Sequence, residues 1–386
     1  MECLHGWRRL AGALLALGLV PALACNSGRT VDSRYREYAY VTNGGSNSVS
    51  VLDLLQFKNV KTIPVGANPT GIAANPVRNE LYVANTESNN ISVIDATRNE
   101  VVGTIGVHRA PYYVSVSKDG RRAYVANPGS ANVSVIDLDK RAVIATIRVG
   151  GAPGLAKVSP DGKLVVVSNR ADDTVSILDA QKLAVRNTVP VCQQPQDITI
   201  LPDSSKAFVT CPRSDQIAAI DLKSGAVLSY LETGKTPVQL VLKPDGGEIF
   251  VCNFGDKSFS IVETGSNEVE ATDLIGDQPS RGVVTADNSL LYVSNFGANM
   301  VSAYSIDDGR EIGAVQVGDR PDALALTPDE GHLLVVNTRS GDVAVVRVVK
   351  TRDNSKISAD RALQTLIAVG SRPNDIVIKA FESGRP

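Results

Sequence analysis

A 42-residue period, four short apolar runs within each period, and chain ends that supply complementary parts of one unit predict an all-β fold, an eight-bladed β-propeller of four-stranded antiparallel blades. The period is carried by Asn43, Asn85, Asn127, Asn169, Cys211, Asn253, Asn295 and Asn337, each 42 residues from the last. Pro69, Pro111, Pro153, Pro195, Pro237, Pro279 and Pro321 keep the same spacing, and Pro373 follows after 52. Self-similarity at a period of about 20 to 50 residues marks a repeat architecture whose units bury their apolar faces against one another. Seven blades, with one degenerate unit packed outside the ring, is the alternative.

Each unit is read as four strands, A to D. In the second unit these are "TGIAA", "ELYVAN", "NISVID" and "EVVGTI", separated by turn-forming clusters such as "NPVRN" and "TESN". Four strands of about 5 or 6 residues with tight turns fill the period and leave no room for helices. Proline suits the entrance to strand A because it brings no N–H to a ladder and fixes φ. The glycine ahead of it, as at Gly66 or Gly150, is expected to permit the sharp crossover between blades. The asparagine ending strand B is expected to bond the backbone of the following turn, or to take a left-handed conformation there. The chain enters the first unit in strand B, at "YAYVTN", and leaves the last in strand A, at "PNDIVI". Pairing those ends closes the ring and removes an exposed sheet edge.

Residues 1–24 read as an export signal, with a basic step at Arg8 and Arg9 and an apolar run from Leu10 to Val20, shorter than the roughly 20 residues a membrane span needs. "ALAC", ending at Cys25, resembles a bacterial lipobox, which implies a lipid-bearing Cys25. Asn26 after it implies, by resemblance to enteric lipoproteins, the outer membrane. The expected organisation is a signal peptide over 1–24, a lipid-anchored polar tether over 25–37, and the propeller over 38–386. The expected location is the cell envelope, facing periplasm or surface.

Composition narrows the function. With 39 basic and 41 acidic residues the net charge is −2, which gives no electrostatic footprint for nucleic acid. Two of the three histidines, His108 and His332, lie outside the signal, so a metal centre built on several histidines is not expected, and no cofactor is expected. Nucleophile elbow, phosphate loop, metal-spaced Cys or His pairs and haem-attachment sequence are all missing from the chain after the signal.

"YVTN", "YVAN", the "SVID" segments and the "PDG" turns resemble the YVTN family of bacterial and archaeal propellers over roughly residues 38 to 378. The resemblance implies the propeller fold and, through its relatives, either surface-layer proteins, exported propellers of unassigned activity, or lactonase-like enzymes. The single tryptophan, Trp7, lies in the signal, which argues against WD40 repeats and against quinone-cofactor dehydrogenases.

Function in a repeat ring is expected where the repeat stops repeating. The B-to-C turns and D-to-A crossovers share the face around the channel mouth, and there the crossovers vary while the opposite turns stay near consensus. His108 replaces a glycine, beside Arg109, Tyr112 and Tyr113; Arg281, Arg320 and Arg372 come from other crossovers, and Arg170, Arg213 and Arg339 from B-to-C turns. Guanidinium forks match carboxylates and phosphates, so these arginines are candidates for an anionic ligand. Asp197, Asp277, Asp322 and Asp375 share the rim and offer internal pairing instead. His108 and Arg109 are the candidates for a hydrolytic site, His108 as general base. Phe254 and Phe296 are expected to be exposed contacts on this face.

Cys192 takes the glycine position of one crossover and Cys211 the asparagine position of the same blade, so the two are candidates for a disulfide; Cys252 is out of register with Cys211 and is expected to be buried and free. The combined reading is a non-catalytic envelope lipoprotein that binds a protein or an anionic small molecule on the channel-mouth face. The alternatives are a lactonase-like hydrolase with a funnel active site and a structural surface-layer-type protein.

Overall fold

The computed structural model describes residues 34–348 and 362–382, in which thirty-two strands form eight four-stranded sheets arranged as a ring. Eight blades are therefore present. The second blade is representative: Pro69–Ala74, Glu80–Asn85, Asn90–Asp95 and Glu100–Gly106 are its strands A to D, in spatial order from the channel outward. The first blade takes strands B, C and D from Tyr35–Asn43, Ser48–Asp53 and Lys58–Pro64, and its inner strand A from Pro373–Glu382 at the other end of the chain. That antiparallel pairing runs from Tyr35 opposite Glu382 to Asn43 opposite Pro373. Strand B begins at Tyr35, so the expected tether gives its last three residues to the ring.

Strands B and C are buried almost throughout, whereas strand D is largely exposed along its outer edge. A sheet covered on both faces reads as a continuous apolar run, not as an alternation. The covering layers are the neighbouring blades. Tyr82, Ala84, Ile91 and Val93 of the second blade pack against Val114, Ala123, Val125 and Ile136 of the third, and seven equivalent clusters complete the ring. In every blade the pairing of strands C and D shifts register once, as between Val93 and Ile94. Such a bulge twists an outer edge away from further pairing.

The repeat residues act differently from the sequence expectation in two respects. Asparagine at the end of strand B bonds side chains on strand C, not the turn backbone: Asn85 Nδ2 donates to Asn90 Oδ1 at 2.8 Å and Ser92 Oγ at 2.9 Å, and Asn43 and Asn169 bond Ser50 and Ser176 in the same way. The crossover glycine faces this asparagine. A Cβ on Gly66 would lie 2.7 Å from Asn85 Cβ, and one on Gly234 would lie 2.5 Å from Asn253 Nδ2, so close approach is what requires glycine there. The sharp turn itself falls on the residue before each proline, which is left-handed in all eight crossovers, from Asn68 with φ 52° to Arg372 with φ 49°. Side chains from the preceding B-to-C turn hold that residue: Asn47 Oδ1 accepts from Asn68 N and Asn89 Oδ1 from Ala110 N, both at 2.9 Å.

One blade replaces the glycine–asparagine contact by a covalent bond. Cys192 and Cys211 form a disulfide with Cα atoms 5.6 Å apart, inside the range such a bridge requires. Cys252 is buried and free. Burial pushes its thiol up to about 12, so it is protonated at neutral pH and poor as a nucleophile.

Candidate functional site: the channel mouth

Each strand A enters at its proline on the channel-mouth face, and its next residues stand around the axis. Thr70, Tyr112, Tyr113, Leu155, Gln196, Asp197, Val238, Gln239, Arg281, Asp322, Asn374 and Asp375, with Lys157 and Leu240 deeper, line a cavity of about 280 Å³. All eight blades contribute to it.

Strand A is the inner edge of its sheet, so half of its N–H groups face away from the ladder and need acceptors. The side chain two residues past the proline supplies one to the next blade. Asp375 Oδ2 accepts from Ile72 N at 3.1 Å, Asp197 Oδ2 from Leu240 N at 2.8 Å, and Gln239 Oε1 from Gly282 N at 2.6 Å. Arg281 holds the same register position and has no acceptor atom. It turns instead to the next blade's carboxylate, with Nε 3.5 Å from Asp322 Oδ1.

The charges there are coupled. The protein crowded around the channel mouth opposes the charge on Arg281, although its side chain still faces the open channel, but Asp322, Asp375 and Asp197 outweigh this and hold the guanidinium proton more tightly than usual. Burial raises the Asp375 carboxyl to about 6, against the opposing pull of Arg281 and of the Ile72 and Ile376 amides. Tyr113 is likewise pushed up to about 12, by burial first and then by Asp375 and Asp197.

Of the residues singled out in the sequence, Tyr112, Tyr113, Asp197, Arg281, Asp322 and Asp375 line the cavity. Arg170 stands beside it with its guanidinium carbon 5.9 Å from the centre of the Tyr112 ring, within cation–π range. His108 and Arg109 do not line it. Crossovers start at the outer strand, so His108 lies near the circumference, where Nε2 is 2.9 Å from Thr146 Oγ1 on the outermost strand of the next blade. A funnel active site based on these two residues has no support in this geometry. Arg213, Arg320, Arg339 and Arg372 are exposed on the face but outside the cavity. Arg320 lies over the Phe296 ring at 5.3 Å, Phe296 packs against Phe254 at 5.9 Å, and Arg339 pairs with Asp319 at 3.4 Å. Phe254 and Phe296 are each half-buried by this packing.

Sequence reasoning missed Lys157, Gln196, Gln239 and Asn374. The signal that finds Gln196, Gln239 and Asn374 is the pair of positions after each proline, where no residue type fills either place in more than two blades; Lys157, four residues past Pro153, lies outside it. Two larger grooves, about 480 and 570 Å³, lie on the opposite face among turn residues such as Asp161, Lys163 and Arg186. The Asp161 carboxylate there caps its own turn, accepting from Ser159 Oγ at 2.6 Å and Lys163 N at 3.0 Å.

Residues 76–327, more than half of the chain, match the cytochrome D1 heme domain. The chain belongs to the cytochrome D1 heme domain family. Among solved structures it is similar to a dihydro-heme d1 dehydrogenase, NirN, in complex with DHE, at a TM-score of 0.72 and 15% identity over 88% of this chain and 74% of that one. It is also similar to Kuenenia stuttgartiensis hydrazine synthase, at 0.60 and 22% over 73% and 96% of the two chains. A protein of unknown function from Desulfotomaculum acetoxidans DSM 771 gives 0.60 and 14% over 88% and 98%. At these identities the likenesses speak for the ring alone. No curated protein matches the chain.

The family implies a haem, and the cavity tests that implication. Haem iron is held by His, Cys, Met or Tyr. Only Tyr112 and Tyr113 among the lining residues are of those types, and the raised Tyr113 phenol opposes the phenolate form. Asp197, Asp322 and Asp375 would also stand against the acid groups of a tetrapyrrole. The residues present in the channel mouth do not fit such a group.

Proposed function

We propose that the protein is a non-catalytic cell-envelope propeller that binds a ligand in its channel mouth. One observation carries this reading: residues from all eight blades surround one cavity, most of them at the two register positions after the proline, which differ from blade to blade. Closing the ring does not call for this variety. The variety suits recognition, in which several blades each contribute a polar or apolar contact to one molecule. Kinship with exported YVTN-type propellers, the signal over 1–24, lipid attachment at Cys25 and a position at the envelope belong to the same proposal. Residues 1–33 lie outside the described residues.

The test is ligand capture. Refolded, ligand-free propeller is incubated with the low-molecular-mass fraction of its own cells and examined by native mass spectrometry, beside a Leu155→Trp variant whose indole fills the cavity. A bound mass on the wild type that disappears from the variant is the expected result. The same mass on both proteins, or on neither, would refute the reading.

A further inference from the structure

The class of ligand follows from which atoms of the cavity are already committed, an inference that rests on the channel mouth being the binding site. Asp375 is fully used as a brace: Oδ2 accepts from Ile72 N and Oδ1 from Ile376 N. Asp197 uses Oδ2 on Leu240 N, which leaves Oδ1 open. Asp322 makes a single contact, Oδ1 to Arg281 Nε at 3.5 Å, which leaves Oδ2 open. Arg281 uses only Nε, so both Nη groups remain for a ligand, and nearly half of its side-chain surface, 45%, is open to solvent. The mouth therefore offers one free guanidinium edge together with two free carboxylate oxygens.

A simple anion docked on Arg281 would meet Asp322, Asp197 and Asp375 around it. A simple cation would meet Arg281 and Lys157. A molecule carrying both charges satisfies both sets. Leu155, Val238, Leu240 and the Tyr112 ring give the same cavity an apolar flank, and about 280 Å³ is room for a small molecule. We propose that the channel mouth binds a zwitterion, a free α-amino acid with an apolar or aromatic side chain. Its carboxylate lies on the Nη edge of Arg281, where a fork can bond both oxygens. Its ammonium lies between Asp322 and Asp197.

Calorimetric titration of the full propeller with L-phenylalanine, phenylalaninamide and N-acetyl-L-phenylalanine tests this, because each derivative lacks one of the two charges. L-phenylalanine is expected to bind at least about tenfold more tightly than either, the usual size of one charge-assisted hydrogen bond. Arg281→Gln should abolish the preference for acid over amide, and Asp322→Asn the preference for free over acetylated amine, with a single cooperative unfolding transition in each variant showing that the ring is intact. If N-acetyl-L-phenylalanine binds as tightly as phenylalanine, the site is an anion site: the zwitterion inference falls while the channel mouth remains a ligand site. If L-phenylalanine, L-leucine and L-tyrosine all fail to bind at about 10 mM, weaker than any useful affinity, the inference also falls. The capture experiment then decides the broader reading independently.

Discussion

Replacing the Cys192–Cys211 bridge by the residues that other blades carry isolates what the covalent bond contributes. The substitution is Cys192→Gly with Cys211→Asn and Ala218→Ser. Asn253 shows the arrangement to be restored, since its amide contacts Ser260 seven residues on at 3.1 Å and faces Gly234. A bridge with a sequence separation of 19 removes loop-closure entropy worth about 3 kcal/mol from the unfolded chain. Unfolding a ring of roughly 340 residues carries an entropy of about 0.7 kcal/mol/K at about 2.1 cal/mol/K per residue, so the shift in midpoint is only about 4 to 5 °C. Differential scanning calorimetry with and without reductant reads it. Reduction should lower the wild-type midpoint by about that amount and leave the triple variant unmoved, with reduced wild type no more stable than the variant. A wild-type midpoint indifferent to reductant, or a variant equally sensitive to it, would refute the entropic account and leave the two cysteines as ordinary packing.

The remaining predictions concern single residues. Asp375 has a carboxyl raised to about 6 in the ring, above its unfolded value, so it contributes stability at acid pH that is lost as pH rises through about 6. Asp375→Asn should therefore flatten the dependence of the midpoint on pH between about 4 and 6.5, measured by calorimetry against the wild type. Arg281→Gln removes a charge that holds this carboxyl down, so carbon-detected NMR should find Asp375 titrating higher still. Gly234→Ala would place its Cβ 2.5 Å from Asn253 Nδ2 and 2.6 Å from Ser258 Oγ. A loss of about 1 to 3 kcal/mol in denaturant unfolding is expected, as for other overpacked sites. In a soluble form without Cys25, Cys252 should resist a thiol reagent in the native ring and react stoichiometrically in denaturant.

The ring was legible because its information is periodic. The unbroken spacing from Asn43 to Asn337 and the strand types at the two ends fix the number of sheets and the way they close, independently of any contact. Reasons for the repeat residues were less legible, because they lie in contacts between segments distant along the chain. That a glycine is needed because an asparagine 19 residues later presses on it, or that the turn falls before the proline because a side chain 21 residues earlier holds it, does not follow from local propensity. The site was legible by address but not by depth. Variation pointed to the crossovers, yet His108 and Arg320 lie before the proline while Arg281 and Asp322 lie after it, and only the latter pair lines the cavity. Counting residues from the proline would have separated them.

The closing strand also fixes the side of the ring on which the described residues begin and end. Strand B of the first blade starts, and strand A ends, on the face away from the crossovers, where Tyr35 pairs with Glu382. The described residues therefore begin and end on the same side. A lipid at Cys25 would hold the ring only nine residues before Arg34, with that side toward the bilayer. The opening would then point away from the lipid surface, where a dissolved molecule meets it without crossing the headgroups. The order in which the strands are threaded would thus serve as an orientation device.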